Sequence, residues 1–194
     1  TPTPRTSWWR SNAAVADAAP HVEVRRLGPE DLPAYKLLRD EALQRHPESF
    51  TSDAETERLR SPESYLGRLG LGEPLGGTFL MGAWVDGEMA GSVACERELK
   101  RKLRHRANIV GMYVRESHTR LGIGRRLLAS SLDLARQAQG LEMLTLTVTA
   151  SNDRAVKLYE RAGFRVYGLL PRAIRIETGR KVQYFDKAHM VLML

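Results

Sequence analysis

The residues best suited to chemistry lie in a glycine-bearing turn in the middle of the chain. An apolar, strand-like run precedes the turn, Gly122 and Gly124 stand in it, and an amphipathic helix follows. The first amides of a helix have no intrahelical partner, and the helix macrodipole places partial positive charge beside them. Glycine lets the backbone approach a ligand, while Arg120, Arg125 and Arg126 bring cationic charge to the rim. This pattern is typical of a pyrophosphate site, although short turns also use glycine for steric reasons alone.

A second and more specific motif occupies residues 151–164, after another strand-like run. Ser151 or Asn152 is suited to cap a helix, and Gly163 is suited to end it. Asn152 and Tyr159 are about two helical turns apart, so they lie on roughly one face of that helix. An asparagine amide and a phenol can then contact one extended ligand. The alternative for Tyr159 is an aromatic side chain that only packs in the core.

Together the two motifs resemble those of the GNAT superfamily, the acyl-CoA-dependent N-acetyltransferases, and the resemblance runs from about Thr78 to the end of the chain. It implies an α+β fold in which helices flank a central mixed, mostly antiparallel sheet. Two parallel strands of this sheet splay apart and form the CoA cleft. The implied reaction moves an acetyl group from acetyl-CoA to a primary amine of a small molecule or peptide, by direct attack in a ternary complex.

The resemblance also assigns residues to the cofactor. In the family, the end of the preceding strand lends backbone groups to the pantetheine arm, and the first turn holds the pyrophosphate through backbone amides. The matching positions here are Met112, Tyr113, Val114, Arg120, Leu121, Gly122, Ile123, Gly124 and Arg125. Asn152 matches the asparagine that contacts the cofactor arm, and Tyr159 matches the tyrosine that protonates the departing CoA thiolate. No metal is expected, because the sequence contains no metal-ligand spacing.

The sequence departs from the family pattern at three positions. Thr119 stands where glutamine or arginine is usual, and Glu116 replaces a frequent proline. Neither change removes a backbone amide, so pyrophosphate binding is expected to survive. In the branch that acetylates the N-termini of ribosomal proteins, a glutamate five residues before the asparagine serves as base. Thr147 occupies that position here, which argues against copying the mechanism of that branch.

Acetyl transfer also needs a base, since an amine is mostly protonated at neutral pH. Glu96 at the end of a strand and Glu41 on the first helix are the candidates. Histidine is a common general base, but the place of His118 beside the turn favours contact with an anion. Tyr159 is a sensible acid for the thiolate, because the reference pKa values of a phenol, about 10, and a thiol, about 8.5, are similar.

Length and composition predict one compact domain. The chain has 194 residues, of which 42% are hydrophobic, and we expect a single domain over 21–194 after a mobile extension over 1–20. No apolar run approaches the roughly 20 residues that span a bilayer, and no apolar secretory segment is present. The single cysteine, Cys95, fits a reducing compartment. A cytoplasmic protein is therefore expected, and a homodimer is left open.

The pattern of apolar and turn residues predicts the order of elements. An edge strand at 22–27 precedes a helix that ends at Arg45, and the region up to about Gly70 is expected to be a loop and a short helix starting near Ser61. Further strands are predicted at 78–85, 88–96, 107–114, 143–149, 165–175 and 181–194, with helices at 122–139 and from 152. The turn between the first two of these strands is Asp86-Gly87.

Charge leaves several functions open. The formal net charge is +7, and residues 97–106 form the densest basic run. This run could contact nucleic acid or an acidic partner, but it lacks interleaved aromatics, so nucleic-acid binding is not expected.

Acidic residues outnumber basic ones over 41–63, and they could form an acidic wall that attracts an amine or simply a solvated face. A CoA-binding protein without catalysis and a basic interaction module are the alternatives to an enzyme. The sequence does not choose among antibiotics, amino acids, polyamines and protein N-termini as the acceptor.

Overall fold

The computed structural model describes residues 19–194 and arranges them around one β-sheet. The extension predicted over residues 1–20, which includes Trp8 and Trp9, lies outside the described residues except for its last two positions. The strands are β1 (Val22–Arg26), β2 (Phe79–Val85), β3 (Glu88–Arg97), β4 (Arg106–Val114), β5 (Met143–Thr149), β6 (Arg165–Thr178) and β7 (Lys181–Met193). The α-helices are α1 (Leu32–Arg45), α2 (Ala54–Arg58), α3 (Ile123–Gln137) and α4 (Asp153–Arg161), and a longer 3-10 helix spans Pro62–Leu69.

The strands of the sheet follow the order β1-β2-β3-β4-β5-β7-β6. Neighbouring strands run antiparallel, with the exception of β4 and β5. These two parallel strands pair only from Arg106 opposite Met143 to Asn108 opposite Thr145, and beyond that point they diverge. The expected mixed, mostly antiparallel sheet with splayed parallel strands is confirmed.

A bulge in β4 explains where the two strands separate. Gly111 and Met112 together oppose the single β3 residue Val93, because the register of the β3–β4 ladder shifts there. Gly111 has φ +64°, a conformation that costs little without a Cβ. A bulge bends its strand and increases the local twist, so β4 turns away from β5 just beyond their last paired residues.

Helices cover both faces of the sheet. On one face α1 and the 3-10 helix bury Tyr35, Leu38 and Tyr65. On the other face α3 buries the apolar stripe that its spacing predicts, including Leu127 and Leu128. The loop after α1 and the turn before α3 come together where β4 and β5 part.

The region between α1 and β2 contains more structure than the sequence predicted. Residues expected to be a loop form α2, whose N-cap Asp53 accepts a hydrogen bond from the Thr56 amide at 2.7 Å. The segment that begins at Ser61 is a 3-10 helix. This short helical region depends on a cap and on packing against α1 instead of on apolar periodicity, which is why the pattern did not predict it. No helix within residues 19–194 is long and apolar enough to cross a lipid bilayer.

The hairpin of β2 and β3 agrees with its predicted turn. Asp86 and Gly87 both have positive φ, at +49° and +88°, as a two-residue hairpin turn requires. The last hairpin turns at Gly179, but β6 runs on to Thr178, past its predicted end at Arg175. The C-terminal strand β7 lies inside the sheet between β5 and β6.

The basic segment 97–106 is fixed to the body at its first residue. The Arg97 guanidinium donates to the carbonyl oxygens of Gly76, Arg104 and Gln139 at 2.6 to 2.9 Å. The Arg97 guanidinium therefore holds the loop through hydrogen bonds within the chain instead of facing a partner. The remaining cations of the segment are mostly exposed, and their binding to nucleic acid stays a prediction of the alternative function.

Candidate active site

The glycine-bearing turn presents unpaired amides at the start of α3. Gly122 caps the helix with φ +70°, and the first helical hydrogen bond runs from the Arg126 amide to the Gly122 carbonyl at 3.0 Å. The amides that precede Arg126 in the first turn thus point out of the helix without an intrahelical acceptor. Arg120 also has positive φ, at +73°. A non-glycine residue held there is strained by about 1–2 kcal/mol, a cost that proteins tolerate mainly at binding and catalytic sites.

These amides open into a cavity of about 540 Å³ where β4 leaves β5. We call it the first cavity. Its walls come from the loop after α1, the end of β4, the turn before α3 and the outer face of α4. The lining residues are His46, Ser49, Phe50, Met112, Tyr113, Val114, Glu116, His118, Thr119, Arg120, Gly122, Ile123, Gly124, Arg125, Asn152, Arg154, Ala155, Leu158 and Arg161. An extended ligand can therefore run from the turn along β4.

Four arginines give the first cavity a cationic rim. Arg120 and Arg125 line it as predicted, and α4 adds Arg154 and Arg161, which the sequence analysis missed. Their spacing of seven residues on one helical face was the available signal. The expectation that Arg126 adds charge to this rim is wrong, because its guanidinium donates to the Val22 carbonyl at 2.8 Å.

A second cavity, of about 290 Å³, lies on the far side of the splayed strands. Its walls come from α1, the loop between α1 and α2, the 3-10 helix, helix α4, and strands β3, β4, β5 and β7. The lining residues are Arg39, Ser49, Phe50, Thr51, Ser52, Arg68, Glu96, Ile109, Val110, Gly111, Met112, Thr147, Val148, Thr149, Asn152, Ala155, Tyr159 and Lys187. Ser49, Phe50, Met112, Asn152 and Ala155 line both cavities. Two ligands could thus meet at these shared residues.

Comparison with known proteins assigns the chain to a family. The sequence of residues 35–164 matches the sequence model of the acetyltransferase (GNAT) family. The chain belongs to this family. The resemblance seen in the two motifs is thereby confirmed.

One relative in sequence and two solved structures show what the chain is similar to. An N-alpha-acetyltransferase of Sulfurisphaera tokodaii is 34% identical over 90 residues, which cover 43% of this chain and 54% of the relative. The chain thus matches only about half the length of that protein. A GNAT-family acetyltransferase from Streptococcus pneumoniae superposes with TM-score 0.77 at 22% identity, covering 90% of this chain and 100% of that one. The yncA structure from Salmonella typhimurium, which contains its cofactor acetyl-CoA, superposes with TM-score 0.73 at 20% identity over 89% and 94% of the two chains. These structural likenesses confirm the GNAT fold.

Most of the cofactor residues predicted from the GNAT motifs line the first cavity, and their binding role stays a prediction. Leu121 is the exception, since its side chain is 36% exposed and does not line either cavity. Tyr113 contributes from β4, but its hydroxyl donates to Glu41 at 3.0 Å on the α1 side. Burial and this carboxylate raise the pKa of the Tyr113 phenol to about 12. Only the backbone of Tyr113 is therefore free to meet a ligand in the manner of the family.

The two residues of the second GNAT motif share a face, as the spacing predicted. Asn152 caps α4, and its Oδ1 accepts a hydrogen bond from the Ala155 amide at 3.1 Å. Tyr159 lines the second cavity and is 6% exposed. Its ring packs edge to face on Phe164, with centroids 5.9 Å apart. Burial raises the pKa of the Tyr159 phenol above its ordinary value, so this hydroxyl stays protonated at neutral pH.

The three candidate bases, Glu96, Glu41 and His118, lie in different places in the structure. Glu96 lines the second cavity together with Tyr159 and pairs with Arg68 Nε at 2.8 Å. Glu41 is occupied by the Tyr113 hydroxyl and by Arg115 Nε at 2.9 Å, and it lines neither cavity. His118 lines the first cavity, on the side of the glycine turn. Of these three candidates, Glu96 alone lines the second cavity with Tyr159, and its role as base stays a prediction.

The acidic residues of segment 41–63 do not form a wall of the second cavity. None of them lines it within the described structure, whereas Arg39, Arg68 and Lys187 do. Glu57, for example, is buried and accepts hydrogen bonds from Arg60 and the Tyr65 hydroxyl. Across residues 19–194, no three His, Cys, Asp or Glu side chains are grouped so that they could hold a metal ion.

Proposed function

We propose that this chain transfers the acetyl group of acetyl-CoA to a primary amine, by direct attack while both are bound. The observation that carries the proposal is the pair of cavities that meet at the splayed strands. One has the amides and arginines suited to a pyrophosphate, and the other has a buried phenol and a carboxylate. Membership in the GNAT family supports the same reaction.

The residues of the first cavity fit acetyl-CoA. The pyrophosphate is proposed to bind at the amides of residues 122–125, with Arg120 and Arg125 beside it. A Cβ at Gly124 would make ordinary contacts with side-chain carbons of Leu158 and Met112 at 3.6 Å and of Val114 at 3.9 Å. The pantetheine arm would follow residues 112–114 of β4 towards Asn152.

Acetyl-CoA supplies a thioester carbonyl. The residues of the chain are proposed to orient the two reactants and to protonate the departing sulfur. The bulge at Gly111 and Met112 interrupts the regular ladder of β4, and an amide of this part of the strand is proposed to stabilise the developing negative charge on oxygen. As the amine nitrogen bonds to carbon, the carbon–sulfur bond breaks. Glu96 is proposed to take the proton of the amine, through water where the distance requires it, and Tyr159 to give its proton to the sulfur.

A Glu96→Gln variant is expected to lower kcat/KM at pH 7 by about tenfold, below the usual effect of a general base, because solvent also deprotonates amines. The loss should shrink as the pH rises towards the pKa of the amine, about 8 for an α-amine and about 10.4 for a lysine-like amine. The measurement is the pH profile of kcat/KM for both proteins. Glu98→Gln is the matched control, since Glu98 bonds Asn108 and lines neither cavity. Parallel profiles for wild type and Glu96→Gln would contradict the role.

The proposed function is tested by calorimetric titration with acetyl-CoA, followed by an assay for free CoA thiol with a panel of amines. Binding together with amine-dependent thiol release is expected. Binding without release from any amine would favour a non-catalytic CoA-binding protein. Absence of binding by the folded protein would overturn the proposal and favour an interaction through the basic segment 97–106.

A peptide N-terminus is the second candidate acceptor. The N-alpha-acetyltransferase relative favours it, although only about half of that protein is matched. Thr147 lines the second cavity at the position where the resemblance places a glutamate in enzymes that act on ribosomal proteins. A peptide acceptor would thus need another base, and peptides therefore belong in the panel beside small amines.

A further inference from the structure

We propose that the acceptor is a small amine that also carries an anionic group, as an amino acid does. This inference rests on the proposed acetyl transfer and names the class of its acceptor. It comes from the charges that line the second cavity, which are the reverse of the acidic wall that the sequence suggested.

Two guanidinium groups converge on one small space. A Cβ placed on Gly111 would lie 3.9 Å from Nη1 of Arg39 and 3.9 Å from Nη1 of Arg68. Because residue 111 is glycine, that space belongs to the cavity and not to a side chain. Paired guanidinium groups around an open space of this kind match a carboxylate or phosphonate, which can accept hydrogen bonds from both.

Each guanidinium is held in place by other partners. Arg39, of which 7% of the side chain is exposed, donates to Ser52 Oγ at 3.2 Å and pairs with Glu57 at 3.4 Å. Arg68 donates to the Tyr35 hydroxyl at 2.8 Å and stacks on the Tyr65 ring at 5.6 Å. A pair fixed in this way loses little conformational entropy when an anion binds.

Positive charge exceeds negative charge around the cavity. Lys187 is buried in the same wall, where its ammonium donates to the Ser49 carbonyl at 2.9 Å and to Thr149 Oγ1 at 3.0 Å. Burial lowers the pKa of this ammonium. Glu57 is shared between Arg39 and Arg60, and Glu96 is the carboxylate that lines the cavity itself. Arg39 and Lys187 are buried, and Arg68 is partly exposed. Cations that outnumber their counter-ions in such a wall are costly, and an anionic ligand would offset that cost.

The remaining groups complete a site for a zwitterion. The cavity volume, about 290 Å³, suits a small molecule better than a folded peptide segment. Glu96 pairs with Arg68 and also faces the cavity, so an acceptor with its anion at the guanidinium groups can place its ammonium near this carboxylate. The same carboxylate is the proposed base, so the amine of the acceptor would lie beside the group that is proposed to take its proton.

The test compares matched acceptors in the thiol-release assay. Free amino acids, their carboxamides, aminoalkylphosphonates, polyamines and short peptides are assayed with the wild-type chain. Charge-assisted hydrogen bonds predict a kcat/KM about 10- to 100-fold higher for an amino acid than for its carboxamide. The amino acid and phosphonate arms then show which anion the site prefers.

Variants locate the effect. Arg68→Gln is expected to raise the KM of the anionic acceptor by about tenfold or more and to leave the Kd of acetyl-CoA unchanged. Arg68→Lys should retain part of the preference, because it keeps the charge but not the planar donor pair. Arg136→Gln is the control, since this exposed arginine on α3 lines neither cavity.

The outcomes separate this inference from the proposed function. Faster thiol release with carboxamides, polyamines or peptides lacking an acidic group would overturn the anionic acceptor and leave acetyl transfer standing. An equal loss in Arg68→Gln for charged and neutral acceptors would also overturn it. Failure of every amine in the panel would overturn both.

Discussion

A Tyr159→Phe variant is expected to lose kcat by about 10²–10⁴-fold while its Kd for acetyl-CoA stays unchanged. The phenol lines the second cavity, and burial keeps its pKa above the ordinary value, so it carries a proton throughout the neutral range. Phenylalanine preserves the edge-to-face contact with Phe164 but has no proton to give to the sulfur. The measurement combines steady-state thiol release with calorimetric titration of acetyl-CoA.

The pH profile and a control sharpen this prediction. Because the pKa of Tyr159 is raised, loss of its proton should not lower the wild-type rate at any pH below about 10. Tyr167→Phe serves as the control, since this tyrosine is exposed on β6 and lines neither cavity. A variant Tyr159→Phe with wild-type kcat would remove the phenol from the mechanism and assign it to the core.

A Gly124→Glu variant is expected to weaken acetyl-CoA binding by more than about 100-fold. The substitution places a carboxylate in the first turn of α3, where a pyrophosphate is proposed to bind, and juxtaposed like charges cost several kcal/mol. Folding should be kept, because an acidic side chain in the first turn of a helix is favourable for the macrodipole. Calorimetric titration measures the loss, and thermal unfolding checks that the chain is folded.

Gly124→Ala separates charge from bulk in this experiment. Its Cβ would make ordinary contacts with side-chain carbons of Leu158 and Met112 at 3.6 Å, so only a small loss of affinity is expected. If the alanine variant loses as much affinity as the glutamate variant, the backbone approach and not the charge decides binding. If neither variant loses affinity, the cofactor does not bind at this turn.

Local sequence pattern predicted the elements of the fold well, because each strand and helix carries its own periodicity and turn residues. Asp86-Gly87 marked its hairpin, and the spacing of leucines gave α3. The pattern could not supply the insertion of β7 between β5 and β6, which depends on pairing between strands far apart in sequence. It also missed α2, a helix too short to show periodicity.

The site was predictable where a motif lies on one element and not where it is assembled from several. The glycine turn and the pair Asn152 and Tyr159 are local, so their spacing located them. Arg39 and Arg68 come from α1 and the 3-10 helix, and only tertiary packing brings them over Gly111. Arg126 was wrongly assigned to the rim, since its guanidinium donates to the Val22 carbonyl. Adjacent residues on a helix point about 100° apart, so Arg125 and Arg126 do not face the same cavity.

The wall that the two cavities share links their ligands thermodynamically. Ser49, Phe50, Met112, Asn152 and Ala155 line both spaces. The loop that carries Ser49 is fastened to β5 and β7 through the Lys187 ammonium and Thr149. Under the proposed function, the cofactor and the acceptor both contact this common wall. Any change that the cofactor makes in the affinity for the acceptor must then be matched by an equal change that the acceptor makes in the affinity for the cofactor.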